Sequence, residues 1–243
     1  LYFKDIDFVF HLAALPRVLI SIEDPVGTSK VNIMGTINVF EASKQNKVKR
    51  VINTSSSSVY GNQDKLPLKE DMVPKPINPY GLQKWVGERF AKLYTEIYGL
   101  PVVSIRPFNV YGPRIDAGSD YSLAIGRFLK ERSLGRPLPI NGDGEQTRGY
   151  CYIGDLVEAF VLAMQSEKLK GGEVINAGSD KAYSINFLAD LIGGEKVYGP
   201  ERPGDIRHTQ ADVSLAKELL GWTPEMDFAE GVKRTIEWFE GQS

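Results

Sequence analysis

The sequence is poor in the residues that form disulfides and metal sites. Its 243 residues include one cysteine, Cys151, and two histidines, His11 and His208. A single cysteine excludes an internal disulfide framework, and two histidines far apart make no cluster with metal-ligand spacing. We therefore expect no metal, a packing role for Cys151, and a reducing, cytoplasmic location.

Long apolar runs and an excess of either charge are also missing. The segment "FVFHLAAL", residues 8–15, has the length of a signal-peptide core, but no basic region precedes it, so it is predicted to be a buried strand. No other run approaches membrane-spanning length. Because 29 basic residues nearly balance 31 acidic ones, neither nucleic acid nor a membrane is an expected partner.

Short apolar runs alternate with helical patterns along the first half of the chain. Strands are predicted within residues 7–14, 48–56 and 101–108, and helices within 31–47 and 78–99. This alternation predicts an α/β fold with a doubly wound parallel sheet. Ligands of such sheets bind beyond the carboxyl ends of the strands, so "HLAALP", "TSSSSVYG" and "RPFNVYGP" are expected along one rim.

The helix predicted over residues 78–99 carries Tyr80 and Lys84 on the side opposite an apolar stripe. The stripe is formed by Leu82, Trp85, Val86, Phe90, Leu93 and Ile97. Either the polar side is a solvated face, with Asn78 as the cap and Pro79 at the first helical position, or it is a catalytic pair. In the second case the Lys84 charge is expected to lower the pKa of Tyr80 from its ordinary value near 10.

Other polar features allow two interpretations as well. "TSSSSVYG" could be a plain polar turn or could supply a hydroxyl to a reacting alcohol. Arg148 and Arg202 could hold a diphosphate or could be ordinary surface arginines. The glycine-rich segment "INGDGEQTRGY" follows neither the Rossmann pattern nor the phosphate-loop pattern.

Together these segments resemble the extended short-chain dehydrogenase/reductase family, in particular its sugar-nucleotide 4-epimerases with bound NAD. "FHLAALP", "NIMGT", "TSSSSVYG", "YGLQK", "RPFNVYGP", "GDGEQTRGYCYIGD" and "RPGDIRHTQAD" follow the order of the family's motifs. The resemblance implies a Rossmann-like NAD-binding domain, incomplete at its N-terminal side, over residues 1–108 and 150–178. It also implies a smaller α/β substrate domain over residues 109–149 and 179–243.

The family's functional residues transfer by position. The catalytic residues would be Ser56, Tyr80 and Lys84. The cofactor would be lined by Leu12, Ala13, Ala14, Pro16, Asn32, Thr54 and Phe108, together with Tyr80 and Lys84. The substrate would be held by Asn109, Ile140, Asn141, Arg148, Arg202, Asp205 and Thr209.

The resemblance implies reversible oxidation at C4 of a UDP-sugar through a 4-keto intermediate, with NAD as the cofactor. Dehydratases and decarboxylases of the family carry an acid where this chain has Ser57 or Ser58. The small side chain of Thr209 suggests that an N-acetylated sugar also fits. A homodimer through the Tyr80 helix is a further expectation, although the apolar stripe could instead pack inside the domain.

Two departures from the family pattern are expected to matter. Gly149 occupies a position where an acid usually follows the substrate arginine. The glycine-rich loop that cradles the NAD pyrophosphate is not found before "HLAA", which suggests a truncated chain with reduced NAD affinity. The alternatives are another sugar-nucleotide oxidoreductase, namely a reductase, a dehydratase or a decarboxylase, or a nucleotide-sugar-binding remnant without catalysis.

Overall fold

A parallel sheet forms the centre of the fold. The structure is a computed structural model that describes residues 3–118, 123–201 and 207–241. Its main sheet has the strand order β1-β2-β3-β8. These strands are β1 (Phe8–His11), β2 (Arg50–Thr54), β3 (Val102–Pro107) and β8 (Val174–Ala177), and each adjacent pair is parallel. The predicted α/β class and all three predicted strands of the first half are confirmed.

Helices connect and cover these strands. They are α1 (Val18–Glu23), α2 (Pro25–Ser29), α3 (Gly35–Gln45), α4 (Pro79–Tyr98), α5 (Ala124–Ser133), α6 (Ile153–Gln165), α7 (Ile185–Ile192), α8 (Ser214–Leu220) and α9 (Phe228–Glu240). A π-helical turn, Lys30–Met34, precedes α3 within the predicted helix over 31–47. Helix α4 has Asn78 as its N-cap and ends at Gly99 in the left-handed conformation, as its sequence predicts.

Strands that follow β3 in sequence form three small sheets among the described residues. Strand β4 (Val110–Tyr111) pairs with β7 (Cys151–Tyr152), and β5 (Leu138–Asn141) pairs with β10 (Lys196–Gly199). Strand β6 (Thr147–Arg148) lies between β9 (Tyr183–Ser184) and β11 (His208–Thr209). Cys151 is fully buried in the core around α6, which confirms its predicted packing role.

The polar side of α4 faces the sheet. Tyr80 and Lys84 are 8% and 7% exposed, whereas Leu82 and Ile97 of the apolar stripe are 47% and 64% exposed. The solvated-face interpretation of Tyr80 and Lys84 is therefore wrong. Packing of Leu82 and Ile97 inside the domain is also wrong, and a homodimer through this outer face stays a prediction.

A buried ion pair holds α4 against the sheet. The Glu88 carboxylate accepts two hydrogen bonds of 2.7 Å from Nε and Nη2 of Arg106 on β3. It also accepts a hydrogen bond from the hydroxyl of Ser55, the residue after β2. Both charged side chains are almost fully buried, so each depends on the other for the solvation that it loses on folding.

No helix in the described part of the chain is long and apolar enough to cross a membrane.

We predict that Glu88→Ala lowers the free energy of unfolding by about 3–5 kcal/mol, because it leaves the Arg106 guanidinium buried without its partner. Urea denaturation measures the loss. Glu41→Ala is the control, because it removes a 2.7 Å ion pair with Lys44 in which the Glu41 and Lys44 side chains are 38% and 31% exposed. A loss in Glu88→Ala no larger than in Glu41→Ala would contradict the assignment of this pair as a main support of α4.

Candidate active site

The carboxyl ends of β1, β2 and β3 meet at one edge of the sheet. Because the strands are parallel, the segments that follow them, residues 12–17, 55–61 and 108–113, lie along the same rim. The start of α4 packs against this rim. The predicted rim motifs are therefore neighbours in space, as the topology requires.

The close approach of α4 to the rim depends on Gly81. A Cβ atom at this position would lie 2.5 Å from the carbonyl oxygen of Ser58, which no side chain tolerates. Asn78 fixes the beginning of the helix, since its Oδ1 accepts a 2.8 Å hydrogen bond from the Gly81 amide. The glycine after Tyr80 thus allows the helix to contact the serine turn directly.

Tyr80 and Ser56 are brought together by this contact. A side-chain hydrogen bond from Ser56 lowers the pKa of Tyr80, and the charge of Arg17 lowers it further, but burial is the larger effect and the net pKa is raised. The expectation that the Lys84 charge lowers the pKa of Tyr80 is wrong in this structure. The spacing of Tyr80 and Lys84 in the sequence suggested an attraction between their charges. It could not indicate that burial removes the phenol from water, which raises its pKa.

Lys84 is fixed at the end of β2. Its Nζ atom donates a 2.7 Å hydrogen bond to the carbonyl oxygen of Thr54 and lies 5.9 Å from the centre of the Tyr80 ring. Burial lowers the pKa of Lys84 to about 8. Lys84 thus places a titratable positive charge near the Tyr80 ring.

The backbone of Tyr80 has a support that the sequence did not indicate. Its amide donates a 3.0 Å hydrogen bond to Oγ of Ser21, which is fully buried in α1. Helix α1 is short and was not predicted, and a single serine among apolar residues carries no clear signal. Ser21 is therefore a site residue that only the structure reveals.

The segment after β1 presents an apolar strip to the outside. Leu12, Ala13 and Pro16 are exposed, with Leu12 at 60%, and Ala14 is half-buried. The buried hydroxyl of Thr54, at the end of the neighbouring strand, has no hydrogen-bond partner among the residues that the structure describes. An exposed apolar strip beside an unpaired hydroxyl, at the ligand-binding edge of a parallel sheet, fits the ring end of a dinucleotide cofactor.

The side chain of Asn32 holds this strip in place through the backbone of Leu15. Its side chain accepts a 2.8 Å hydrogen bond from the Leu15 amide and donates to the Leu15 carbonyl and to Oε1 of Gln83. Gln83 in turn donates to Oγ1 of Thr28 and Oγ of Ser29. The amide of Asn32 is therefore engaged within the chain, and Gln83, which sequence reasoning missed, links the strip to α4.

His11, at the end of β1, is another residue near the candidate site that the sequence analysis did not identify. Its Nε2 lies 2.9 Å from Oγ1 of Thr36, and that hydroxyl donates its own proton to the Asn32 carbonyl. The ring must therefore donate from Nε2, which assigns the tautomer. Burial, assisted by the Lys84 charge, lowers the pKa of His11 to about 4, so this imidazole is neutral at pH 7.

The substrate-side candidates gather on the small sheets. Asn109 has a φ of 35° and donates through Nδ2 to the Gly149 carbonyl at 3.0 Å and to Oγ1 of Thr209 at 3.2 Å. Thr209 pairs in register with Arg148, whose Nη1 donates to the Thr147 carbonyl. The structure thus brings Asn109, Arg148 and Thr209 together.

The remaining predicted residues are placed less directly. Phe108 is fully buried and packs against Tyr60. Ile140 is buried in a core cluster that includes residues of α5 and α7, while Asn141 is half-buried. Arg202 and Asp205 lie outside the described residues. The functions predicted for these residues stay predictions.

The chain packs closely around Gly149, the position where the family usually has an acid. A Cβ atom there would lie 3.0 Å from the carbonyl oxygen of Ser179 and 3.4 Å from that of Thr209. An acidic side chain would require these neighbouring backbone atoms to move by a few tenths of an ångström. The position after Arg148 is therefore closely packed in this chain.

Sequence comparison finds relatives that are named as sugar-nucleotide enzymes. The UDP-glucose 4-epimerase of Mycolicibacterium smegmatis is 37% identical over 244 residues, which cover 98% of this chain and 77% of the relative. The UDP-N-acetyl-alpha-D-glucosaminuronate decarboxylase of Bacillus cytotoxicus is 36% identical over 252 residues, covering 96% and 76%. Relatives of similar identity thus differ in both reaction and sugar.

Solved structures extend the comparison to the fold. A UDP-N-acetylglucosamine 4-epimerase from Methanobrevibacter ruminantium, in complex with UDP-N-acetylmuramic acid, has a TM-score of 0.95 and 38% identity, covering 100% of this chain and 79% of that one. A UDP-glucuronic acid 4-epimerase from Bacillus cereus, in complex with UDP-glucuronic acid and NAD, has a TM-score of 0.90 and 35% identity, covering 98% and 77%.

The family match covers most of the chain. Residues 2–178 match the NAD dependent epimerase/dehydratase family, and the catalytic candidates, the cofactor-side strip and the main sheet all lie within this range. On this match and on the relatives of more than 30% identity, the chain belongs to the NAD dependent epimerase/dehydratase family.

Proposed function

We propose that this chain catalyses NAD-dependent epimerisation at C4 of a UDP-sugar. The observation that carries the proposal is the convergence of Tyr80, Ser56 and Lys84 at the ligand-binding edge of the sheet. A buried phenol and a buried ammonium with perturbed pKa values at such an edge, next to a half-buried serine hydroxyl, are typical of a catalytic centre. Membership of the family supplies the cofactor class and the sugar-nucleotide class of substrate.

In the proposed reaction Tyr80 removes the proton from the sugar 4-hydroxyl, and Ser56 shares the hydrogen bond to that oxygen. The Ser56 hydrogen bond and the Arg17 charge both oppose the effect of burial on the pKa of Tyr80. Lys84, fixed by the Thr54 carbonyl, keeps its ammonium near the phenol ring. NAD, held by the strip of residues 12–16 and the Thr54 hydroxyl, would supply the hydride acceptor for C4 and the hydride donor to the 4-keto sugar.

The residues that would hold the two ligands are those that the family resemblance indicates. The strip of Leu12, Ala13, Ala14 and Pro16, with the Thr54 hydroxyl, would line NAD, and Phe108 would close the pocket from the core side. Asn109 and Arg148 would hold the nucleotide diphosphate, together with Arg202 and Asp205, while Ile140 and Asn141 would lie near the base.

A dehydratase or decarboxylase is the less favoured alternative. By the family resemblance, dehydratases carry an acidic pair at the positions of Ser57 and Ser58, and decarboxylases carry an acid there too, whereas this chain has two serines. The nearby Glu88 is already bound to Ser55 and Arg106. A binding protein without catalysis is the alternative from another class, and turnover by the wild-type chain would exclude it.

We expect Tyr80→Phe to lower the rate of interconversion of UDP-glucose and UDP-galactose by about 10²–10⁴-fold, the usual contribution of a positioned acid or base. Proton NMR of the sugar anomeric signals follows the reaction. Tyr98→Phe is the matched control, because it removes a phenol from the same helix at a site that is 53% exposed. Near-normal turnover by Tyr80→Phe, with normal turnover by Tyr98→Phe, would refute the assignment.

We also propose that Thr209 admits an N-acetylated sugar. Thr209 is 8% exposed and receives a hydrogen bond from Asn109, so a larger side chain there would fill space beside the predicted substrate residues. Thr209→Tyr is expected to lower the ratio of activity on UDP-N-acetylglucosamine to activity on UDP-glucose by about tenfold or more, the range for pocket contacts of this size. Thr209→Ser should preserve the ratio, and an unchanged ratio in Thr209→Tyr would contradict the proposal.

A further inference from the structure

An ion pair bridges the two sides of the candidate active site. Nη2 of Arg17, the residue before α1, lies 2.8 Å from Oδ2 of Asp116, which follows β4. The two residues are 99 positions apart in sequence, and their side chains are 26% and 48% exposed. Oδ1 of Asp116 accepts a 3.0 Å hydrogen bond from the Gly118 amide, which fixes the carboxylate. The pair joins the cofactor-side strip to the loop that leaves the substrate-side strands.

Arg17 lies close to the reacting phenol. The Ser21 amide donates to the Arg17 carbonyl at 3.1 Å, and Oγ of the same serine accepts the hydrogen bond from the Tyr80 amide. One turn of α1 therefore ties Arg17 to the backbone of Tyr80. The charge of Arg17 also lowers the pKa of Tyr80, against the larger effect of burial.

The groups on the sugar that come near this pair follow from the proposed reaction. Tyr80 contacts the hydroxyl on C4, and the neighbouring ring atoms are C3 and C5, which carries C6. Acidic sugars carry their extra carboxylate at these neighbours: at C6 in a uronic acid, and on a lactyl ether at C3 in muramic acid. Each of these carboxylates is a few bonds from the C4 hydroxyl that Tyr80 contacts, and Arg17 is tied to Tyr80 through Ser21.

We propose that the Arg17–Asp116 pair determines the charge class of the sugar, and that it favours neutral over acidic UDP-sugars. This inference rests on the proposed function. The Arg17 guanidinium can bind a carboxylate through paired N–H groups, but it is already bound to Asp116. The negative charge of Asp116 also repels a second anion. An acidic sugar must displace a fixed carboxylate from Arg17, whereas a neutral sugar leaves the pair intact.

Asp116→Asn tests this proposal by removing one charge while keeping an oxygen for the Gly118 amide. Calorimetric titration measures the affinity of UDP-glucuronic acid relative to UDP-glucose, and of UDP-N-acetylmuramic acid relative to UDP-N-acetylglucosamine. At least one of these acidic-to-neutral ratios should rise about tenfold, as expected for one new charge-assisted contact. A rise in the first ratio assigns the contact to C6, and a rise in the second assigns it to C3.

Two further variants make the result specific to Arg17. Arg17→Gln combined with Asp116→Asn should lose the gain, because the guanidinium that binds the carboxylate is gone. Glu41→Gln is the matched control, since it removes one charge from the Glu41–Lys44 pair of similar exposure on α3 and should leave both ratios unchanged. The gain in Asp116→Asn should also shrink at high ionic strength.

Unchanged ratios in Asp116→Asn, or a full gain in the double variant, would overturn the inference. The titrations require no turnover. A shifted ratio in a protein that converts none of these sugars would therefore support the specificity of the pair while refuting the proposed catalysis. Failure of the wild-type chain to bind any of the four sugar nucleotides would overturn both proposals.

Discussion

The buried Glu88 carboxylate determines the geometry of the candidate site, because it joins three elements at once. It receives hydrogen bonds from Arg106 on β3 and from Ser55 at the end of β2, and it belongs to α4. Lys84 lies one turn before it on the same helix, and Ser56 follows Ser55 in sequence. A shift of Glu88 would therefore move the lysine and the serine relative to each other. The ion pair is costly to bury, and it is stable only while all its partners stay in place.

This constraint explains why α4 is turned with its polar side inward. Lys84 donates to the Thr54 carbonyl, Glu88 binds Arg106, and Gln83 binds Asn32, so each buried polar group of the helix has a partner on another element. Burial of these groups is possible because their hydrogen bonds are made within the protein. The apolar residues of the helix are left at the surface, where Leu82 and Ile97 are exposed.

The sequence was sufficient for features that depend on local chemistry. The cap at Asn78, the left-handed Gly99 and the alternation of strands and helices were all predictable, and the family resemblance gave the right class of fold. It was insufficient where a residue's partner lies far along the chain. The apolar stripe of α4 suggested the wrong buried face, Ser21 and Gln83 gave no signal, and the pKa of Tyr80 moved upward because desolvation depends on the complete packing.

The central claim is that the polar face of α4 supports transient oxidation at C4 of a UDP-sugar. The most direct measurement uses UDP-glucose labelled with deuterium at C4, incubated with the chain and NAD in ordinary water, with the product examined by NMR and mass spectrometry. The account predicts UDP-galactose that keeps the deuterium at C4, because the same hydride leaves and returns within one site. UDP-galactose that has lost the label to solvent would contradict it.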